Sequence, residues 1–260
     1  MVEEKTVLIN NLKTNFKATG AGPVILILHG WGASSNSWSK VQDILAGKGY
    51  RVICPDFPGF GKSKAPEKPW DVSDYAQWVI EFIQSQNIDK FSLIAHSFGG
   101  RVAVKLSAKY PQKIESLIFC SSAGIKHEPD LQTKGIYEIT RLGNKVFAQK
   151  FLSNFKDKAK NVLYFFLRRK DYARAKGVMR KTLQRVLKED LLSYLSKIRT
   201  KTLIIWGEDD KYVPIKDAHT FKEKIEGSKL EILLGAGHSP HFERPGRLAE
   251  IIFNFLKAKP

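Results

Sequence analysis

Cysteine is nearly missing from this chain of 260 residues: Cys54 and Cys120 are the only two, each in or beside a short apolar run. Two such thiols make no disulfide framework. Neither stands at a spacing that pairs it with another metal ligand, so both are expected to be buried structural thiols, with no metal bound. Long apolar runs are missing as well. Apolar runs such as 24–28 and 203–206 are strand-length and far below the roughly 20 residues that cross a bilayer, so no membrane span is expected. The opening residues Met1-Val2-Glu3-Glu4-Lys5 are charged and lack the apolar stretch of a secretory leader, which points to a cytoplasmic protein. No low-complexity segment occurs, and 43% hydrophobic residues with 11 Pro and 19 Gly describe an ordinary globular chain. Its length suits one large core with a modest insertion.

Acidic residues are also scarce, 26 against 43 Lys and Arg, for a net charge of +17. The distribution matters more than the size. Residues 126–201 hold 20 Lys and Arg against 7 Asp and Glu, a balance of +13 that leaves +4 for everything else. No zinc-ligand set, aromatic RNA-binding signature or isolated basic tail accompanies the excess, so no specific nucleic-acid partner is expected. A solvated basic face, or one that steers anionic substrates, fits better.

Short β-branched runs at 24–28, 52–54, 91–95 and 117–120 read as buried strands, and 38–46, 72–84 and 100–109 between them carry the three-to-four-residue rhythm of helices. Strand and helix in alternation imply an α/β fold with a mostly parallel, doubly wound sheet. Two further strands, 202–206 and 230–234, and an amphipathic helix at 247–256 complete the pattern. Segments 6–9 and 14–18 are expected to pair antiparallel at a sheet edge. The alternation breaks at 124–197, where Phe147, Phe151 and Phe155 recur every four residues and no strand-like run appears. This segment is expected to be an all-helical, strongly basic lid between the sixth and seventh strands. The core then comprises 1–123 and 198–260, and Phe147 and Phe151 become candidates for the substrate pocket.

The chemistry gathers at loops that follow strands. Ala95-His96-Ser97-Phe98-Gly99-Gly100 leaves one buried strand and opens a helix, the context that pushes a serine out of a sheet. Small neighbours allow strand and helix backbones to approach, and the Phe98 N–H points from a helix N-terminus toward a developing negative charge. A serine hydroxyl needs a base, and His238 in Gly235-Ala236-Gly237-His238-Ser239-Pro240 stands on a glycine-bearing loop free to swing an imidazole over the sheet. His241 is the close rival. His29 suits a structural hydrogen bond, the direction of His96 cannot be read, and His127 and His219 sit in segments with no motif. Glu208-Asp209-Asp210 supplies a carboxylate at the carboxyl end of another strand, with Asp209 and Asp210 left equal on physical grounds.

Taken together, His29-Gly30-Trp31-Gly32, Asp56-Phe57-Pro58-Gly59-Phe60-Gly61-Lys62-Ser63, the Ser97 turn, Trp206-Gly207-Glu208-Asp209-Asp210-Lys211-Tyr212-Val213-Pro214 and Gly237-His238 resemble the α/β-hydrolase family. The likeness runs from about residue 23 to residue 256, and is to the lidded esterases and carbon–carbon bond hydrolases. It implies Ser97 as nucleophile, Asp210 as acid, His238 as base, and the N–H groups of Trp31 and Phe98 as oxyanion donors. His29, Gly30 and Val213 become further pocket candidates. No cofactor is implied. Two positions depart from the family: Ala95 where glycine is usual, and Lys201 where a proline commonly precedes the seventh strand.

A serine rather than an aspartate at 97 sets aside the carboxylate-nucleophile dehalogenases and epoxide hydrolases. Gly32-Ala33-Ser34 lacks the Gly-Pro-Gly turn of the ring-cleavage hydrolases, so a small-molecule carboxylic ester is the expected substrate. A carbon–carbon bond, lactone or thioester substrate is the alternative, and a non-catalytic ligand-binding protein on the same fold a further one. A monomer or homodimer is expected. Gly61-Lys62-Ser63 mimics the tail of a phosphate loop, but Asp56 stands where its first glycine belongs, so the stretch is expected only to frame the pocket.

Overall fold

Alternate residues of the central strands feed two separate cores. Leu26, Leu28, Leu93, Ala95, Leu117, Phe119, Ile204 and Trp206 point to one side of the sheet, and Ile25, Ile27, Ile94, Ile118, Leu203 and Ile205 to the other. A strand buried on both faces needs apolar residues at every position, which is why these runs are continuous rather than alternating. The computed structural model describes residues 2–126 and 175–258.

Eight strands form one sheet: β1 (Glu3–Ile9), β2 (Leu12–Thr19), β3 (Val24–Leu28), β4 (Arg51–Pro55), β5 (Phe91–His96), β6 (Ile114–Cys120), β7 (Thr202–Gly207) and β8 (Lys229–Leu233). Their order is β1-β2-β4-β3-β5-β6-β7-β8. β1 and β2 join antiparallel, as 6–9 and 14–18 suggested, and every pair from β4 to β8 is parallel. The chain moves outward from β3 to β4 and then crosses back to β5. The carboxyl ends of β3 and β5 therefore flank a topological switch point, where loops part and leave a crevice.

On one face lie α2 (Val72–Ser85), α3 (Phe98–Lys109) and α6 (Ile215–Lys224), burying Val79, Phe82, Val102, Leu106, Ala218 and Phe221. On the other, α1 (Ser39–Gly47) and α8 (Pro245–Lys257) pack together through Val41, Leu45, Leu248 and Ile252. Asp71 starts α2 firmly: its carboxylate accepts from the Ser73 and Asp74 N–H groups while Asp74 returns the bond to the Asp71 N–H. Between β6 and β7 the described residues hold α4 (Gly177–Lys188) and α5 (Leu192–Leu195), and no strand. A short helix α7 (Pro240–Glu243) precedes α8.

Three expected boundaries shift for local reasons. The helix read at 100–109 begins at Phe98, because the two glycines form its first turn rather than a preceding loop. The helix read at 38–46 is preceded by a 3-10 turn at Ser35–Trp38. Leu234 lies past the end of β8 and is 73% exposed, so the strand stops at Leu233. Both sheet edges are wet. β1 exposes Glu3, Glu4, Lys5 and Thr6, and β8 exposes Lys229 and Glu231.

Candidate active site

Ser97 leaves β5 with φ 50° and ψ −112°, a conformation that a side chain adopts only under constraint. The constraint is the crossing of α3 over the neighbouring strands. A Cβ on Gly99 would lie 2.3 Å from the Leu28 carbonyl oxygen, and one on Gly100 2.4 Å from Ser122 Cβ, so neither position admits a side chain. The turn is fastened by the Ala123 N–H donating to the Ser97 carbonyl at 2.9 Å and by Ser122 Oγ donating to the Ala95 carbonyl at 2.7 Å. Ala95, unusual for the family, is accommodated with no exposure at all.

His238, on the loop after β8, brings Nε2 to 3.0 Å from Ser97 Oγ and Nδ1 to 2.9 Å from Asp210 Oδ2. Asp210 follows β7, and its other oxygen accepts from the Tyr212 and Val213 N–H groups, each at 2.8 Å. With its side chain wholly shielded from solvent, the carboxylate has a defined partner for each oxygen. The structure thus separates the two aspartates that spacing alone left equal: Asp209 is exposed and donates its N–H to the Ala236 carbonyl.

The loop carrying His238 is clamped rather than free to swing, which corrects the expectation drawn from its glycines. The Glu243 carboxylate accepts from the N–H groups on both sides of the histidine, Gly237 on one oxygen and Ser239 at 3.1 Å on the other. Gly237 and Gly207 serve close packing instead: a Cβ on Gly207 would lie 2.0 Å from the Gly237 carbonyl oxygen. Sequence reasoning missed Glu243. No residue spacing signals it, because the contact depends on the loop path that brings both N–H groups to one carboxylate.

Phe98 is the first residue of α3, so its N–H has no partner within the helix. Trp31 follows β3 on the other side of the crevice, and its ring packs edge-on against Phe60 at 4.7 Å and Phe98 at 5.2 Å. This aromatic wall is backed by a loop wrapped around buried Asp56, which accepts from the N–H groups of Ser35 at 2.7 Å and Lys62 at 2.9 Å. Gly61, at φ 55°, would drive a Cβ into that carboxylate. The phosphate-loop mimic is therefore a turn built around an acid.

Three of the pocket candidates take other places. His29 is fully buried: Nδ1 donates to the Gly30 carbonyl at 2.7 Å and Nε2 accepts from the Phe57 N–H at 3.0 Å, so it braces the loop from beneath. Val213 is 1% exposed, and its N–H holds Asp210. Gly30 is buried against His96 and Ser97, where a Cβ would meet Nδ1 at 2.9 Å and Cβ at 3.3 Å. Phe147, Phe151 and Phe155 lie outside the described residues, as does His127.

The rival base His241 is stacked flat on Trp38, with ring centroids 4.4 Å apart, and burial with neighbouring His238 holds its pKa down at about 3. His96 is buried beside both rings and stays neutral for the same reason. Burial pushes the thiols of Cys54 and Cys120 up, as inert structural cysteines require. Among the described residues no cluster of His, Cys, Asp and Glu could hold a metal ion, and no helix is long and apolar enough to cross a membrane.

Residues 23–245 match the alpha/beta hydrolase fold family. Among curated proteins the chain is 31% identical to a 2-hydroxy-6-oxo-6-(2'-aminophenyl)hexa-2,4-dienoic acid hydrolase of Metapseudomonas resinovorans, over 98% of this chain and 91% of that protein. It is 27% identical to a 2-hydroxy-6-oxononadienedioate/2-hydroxy-6-oxononatrienedioate hydrolase of Escherichia coli strain K12, over 96% and 92% of the two. A solved serine hydrolase involved in carbazole degradation superposes with a TM-score of 0.76 at 26% identity, covering 100% of both chains.

Proposed function

Because the chain belongs to the α/β-hydrolase family, we propose that it is a serine hydrolase in which Ser97 is the nucleophile, His238 its general base and Asp210 the partner of that base. The observation that carries the reading is the unbroken line of hydrogen bonds from Asp210 Oδ2 through His238 to Ser97 Oγ, at 2.9 and 3.0 Å. A neutral imidazole donates from Nδ1 to the carboxylate and accepts the serine proton at Nε2, the tautomer a general base needs. As Oγ bonds to the substrate carbonyl carbon, its proton passes to Nε2. The N–H groups of Trp31 and Phe98 take up the charge on the carbonyl oxygen. Collapse breaks the bond to the leaving group, which receives the proton from His238, and water then releases the acyl group by the same steps. No cofactor enters this sequence.

The substrate reading is a 2-hydroxy-6-oxo dienoic acid. The two curated relatives hydrolyse such acids. These compounds contain no ester, amide or lactone, so hydrolysis breaks the carbon–carbon bond beside the 6-oxo group and the leaving carbon takes the proton. Their carboxylate suits the basic insertion at 124–197, most of which lies outside the described residues and whose excess of Lys and Arg draws anions. A carboxylic ester is the second reading, favoured by Gly32-Ala33-Ser34 in place of the Gly-Pro-Gly turn.

The test compares wild type and Ser97→Ala on 2-hydroxy-6-oxo-6-phenylhexa-2,4-dienoic acid, followed by loss of its dienol absorbance, and on p-nitrophenyl butyrate. Wild type is expected to turn over the dienoic acid with the higher kcat/KM, and Ser97→Ala to lose at least about 1,000-fold in kcat. A preference for the ester selects the second reading. Full turnover by Ser97→Ala overturns the mechanism.

A further inference from the structure

His96 stands beside Ser97, yet the reaction above does not use it. It is 5% exposed, and its Nε2 lies 2.8 Å from the backbone carbonyl of His238. A carbonyl only accepts, so Nε2 carries the proton and Nδ1 keeps a bare lone pair. That nitrogen is buried without a hydrogen-bond partner. It faces the backbone of Gly30, where a Cβ would come within 2.9 Å. One imidazole therefore touches the loop carrying the base on one side and the loop leading to the Trp31 N–H on the other, while its own backbone continues into the nucleophile.

Resting on the Ser97–His238 reading, we infer that His96 is a positioning residue that keeps the base loop and the oxyanion loop in register with the nucleophile. The two loops come from opposite ends of the chain, 142 residues separating His96 from His238, and no strand pairing joins them directly. The His96 bond fixes the main chain of the base within one side-chain length of Ser97. A glycine at 30 lets the oxyanion loop close against the same ring. Burial and the neighbouring His238 and His241 rings disfavour a charged His96, so the donor and the bare nitrogen keep their assignments. Displacement of a reacting group by about 1 Å costs on the order of 100-fold in rate, which makes such a bracket consequential.

The experiment compares His96→Gln, which can return an N–H to the His238 carbonyl, with His96→Met, which cannot. On the substrate that wild type turns over, His96→Met is expected to lose about 10- to 100-fold in kcat with KM within about twofold, and Gln to recover most of the loss. The low-field NMR signal of the His238 Nδ1 proton is expected to shift or broaden in the Met variant and to persist in the Gln variant. If the Met variant fails to fold, His96→Asn, polar but too short to reach the carbonyl, takes its place with the same expectation. Wild-type kcat with an unmoved proton signal in the variant without the bond overturns the inference, as does equal impairment of Gln. Ser97→Ala is measured alongside: if it abolishes turnover while His96→Met keeps wild-type kcat and an unmoved proton signal, this inference alone fails, and if it keeps turnover the nucleophile assignment fails first.

Discussion

At Asp210 both carboxylate oxygens are engaged, one by the His238 ring and the other by the Tyr212 and Val213 N–H groups. Asp210→Asn keeps the shape but turns one oxygen into an amide donor, which meets either the Nδ1 proton or two backbone protons. The imidazole is then pushed toward the wrong tautomer and its charged form loses its partner. A fall in kcat of about 10,000-fold is expected, measured at saturating substrate with circular dichroism confirming the fold. At this scale the sequence was informative wherever a residue type and its place after a strand coincided, as at Ser97 and His238. It left Asp209 and Asp210 equal until the family pattern chose between them. It was silent on His96 and Glu243, because what they do depends on the direction of one side chain and on the path of a loop six residues long, neither of which leaves a spacing to read.

Among the elements, the joint between α3 and α4 matters most. Arg101, 6% exposed on the helix that begins beside Ser97, donates to the carbonyls of Val186 at 3.1 Å and Glu189 at 2.8 Å, at the C-terminal end of α4. A cation there meets unsatisfied carbonyls and the negative end of the helix dipole. Lys105, one turn further along α3, pairs with the Glu189 carboxylate. The far end of α4 rests on the loop behind the aromatic wall, with Met179 filling the space over Gly59 and Thr182 Oγ1 accepting from the Trp70 N–H at 3.1 Å. Arg101→Met is expected to destabilise this joint by about 1–3 kcal/mol, with faster amide hydrogen exchange in α4 and unchanged protection in β5. Equal acceleration in both would mean that the arginine supports the whole core and not the joint. Strands and helices were legible here from apolar period alone, whereas the place of Arg101 was not, since nothing in a helical rhythm says that another element will land on it. Lys201 repeats the lesson. It stands in place of the usual proline and donates to the Phe255 carbonyl at 3.1 Å and to that of Ala258, capping α8 from the start of β7.

For the molecule as a whole, the buried imidazoles set a limit in acid. His241 is 4% exposed with its pKa down at about 3, against roughly 6.5 in an unfolded chain. Between those values the unfolded state binds the extra proton, so the contribution of this group is complete above about pH 6.5 and is lost as pH falls toward 3, by up to about 1.4 kcal/mol per pH unit. His96, depressed by burial as well, adds with the same sign. Urea midpoints measured from pH 7 to pH 4 are expected to fall less steeply for His241→Phe than for wild type, and identical slopes would refute the assignment. The overall architecture could be read from the chain because parallel strands announce themselves as continuous apolar runs. The sheet order could not, since it is set by which helix crosses which face. That order leaves the hairpin strand β1 at one rim and β8 at the other, each studded with Glu and Lys. A second molecule adding its own backbone to either rim would have to strip water from those ions, so the same charges that keep the borders hydrated also discourage one sheet from templating the next.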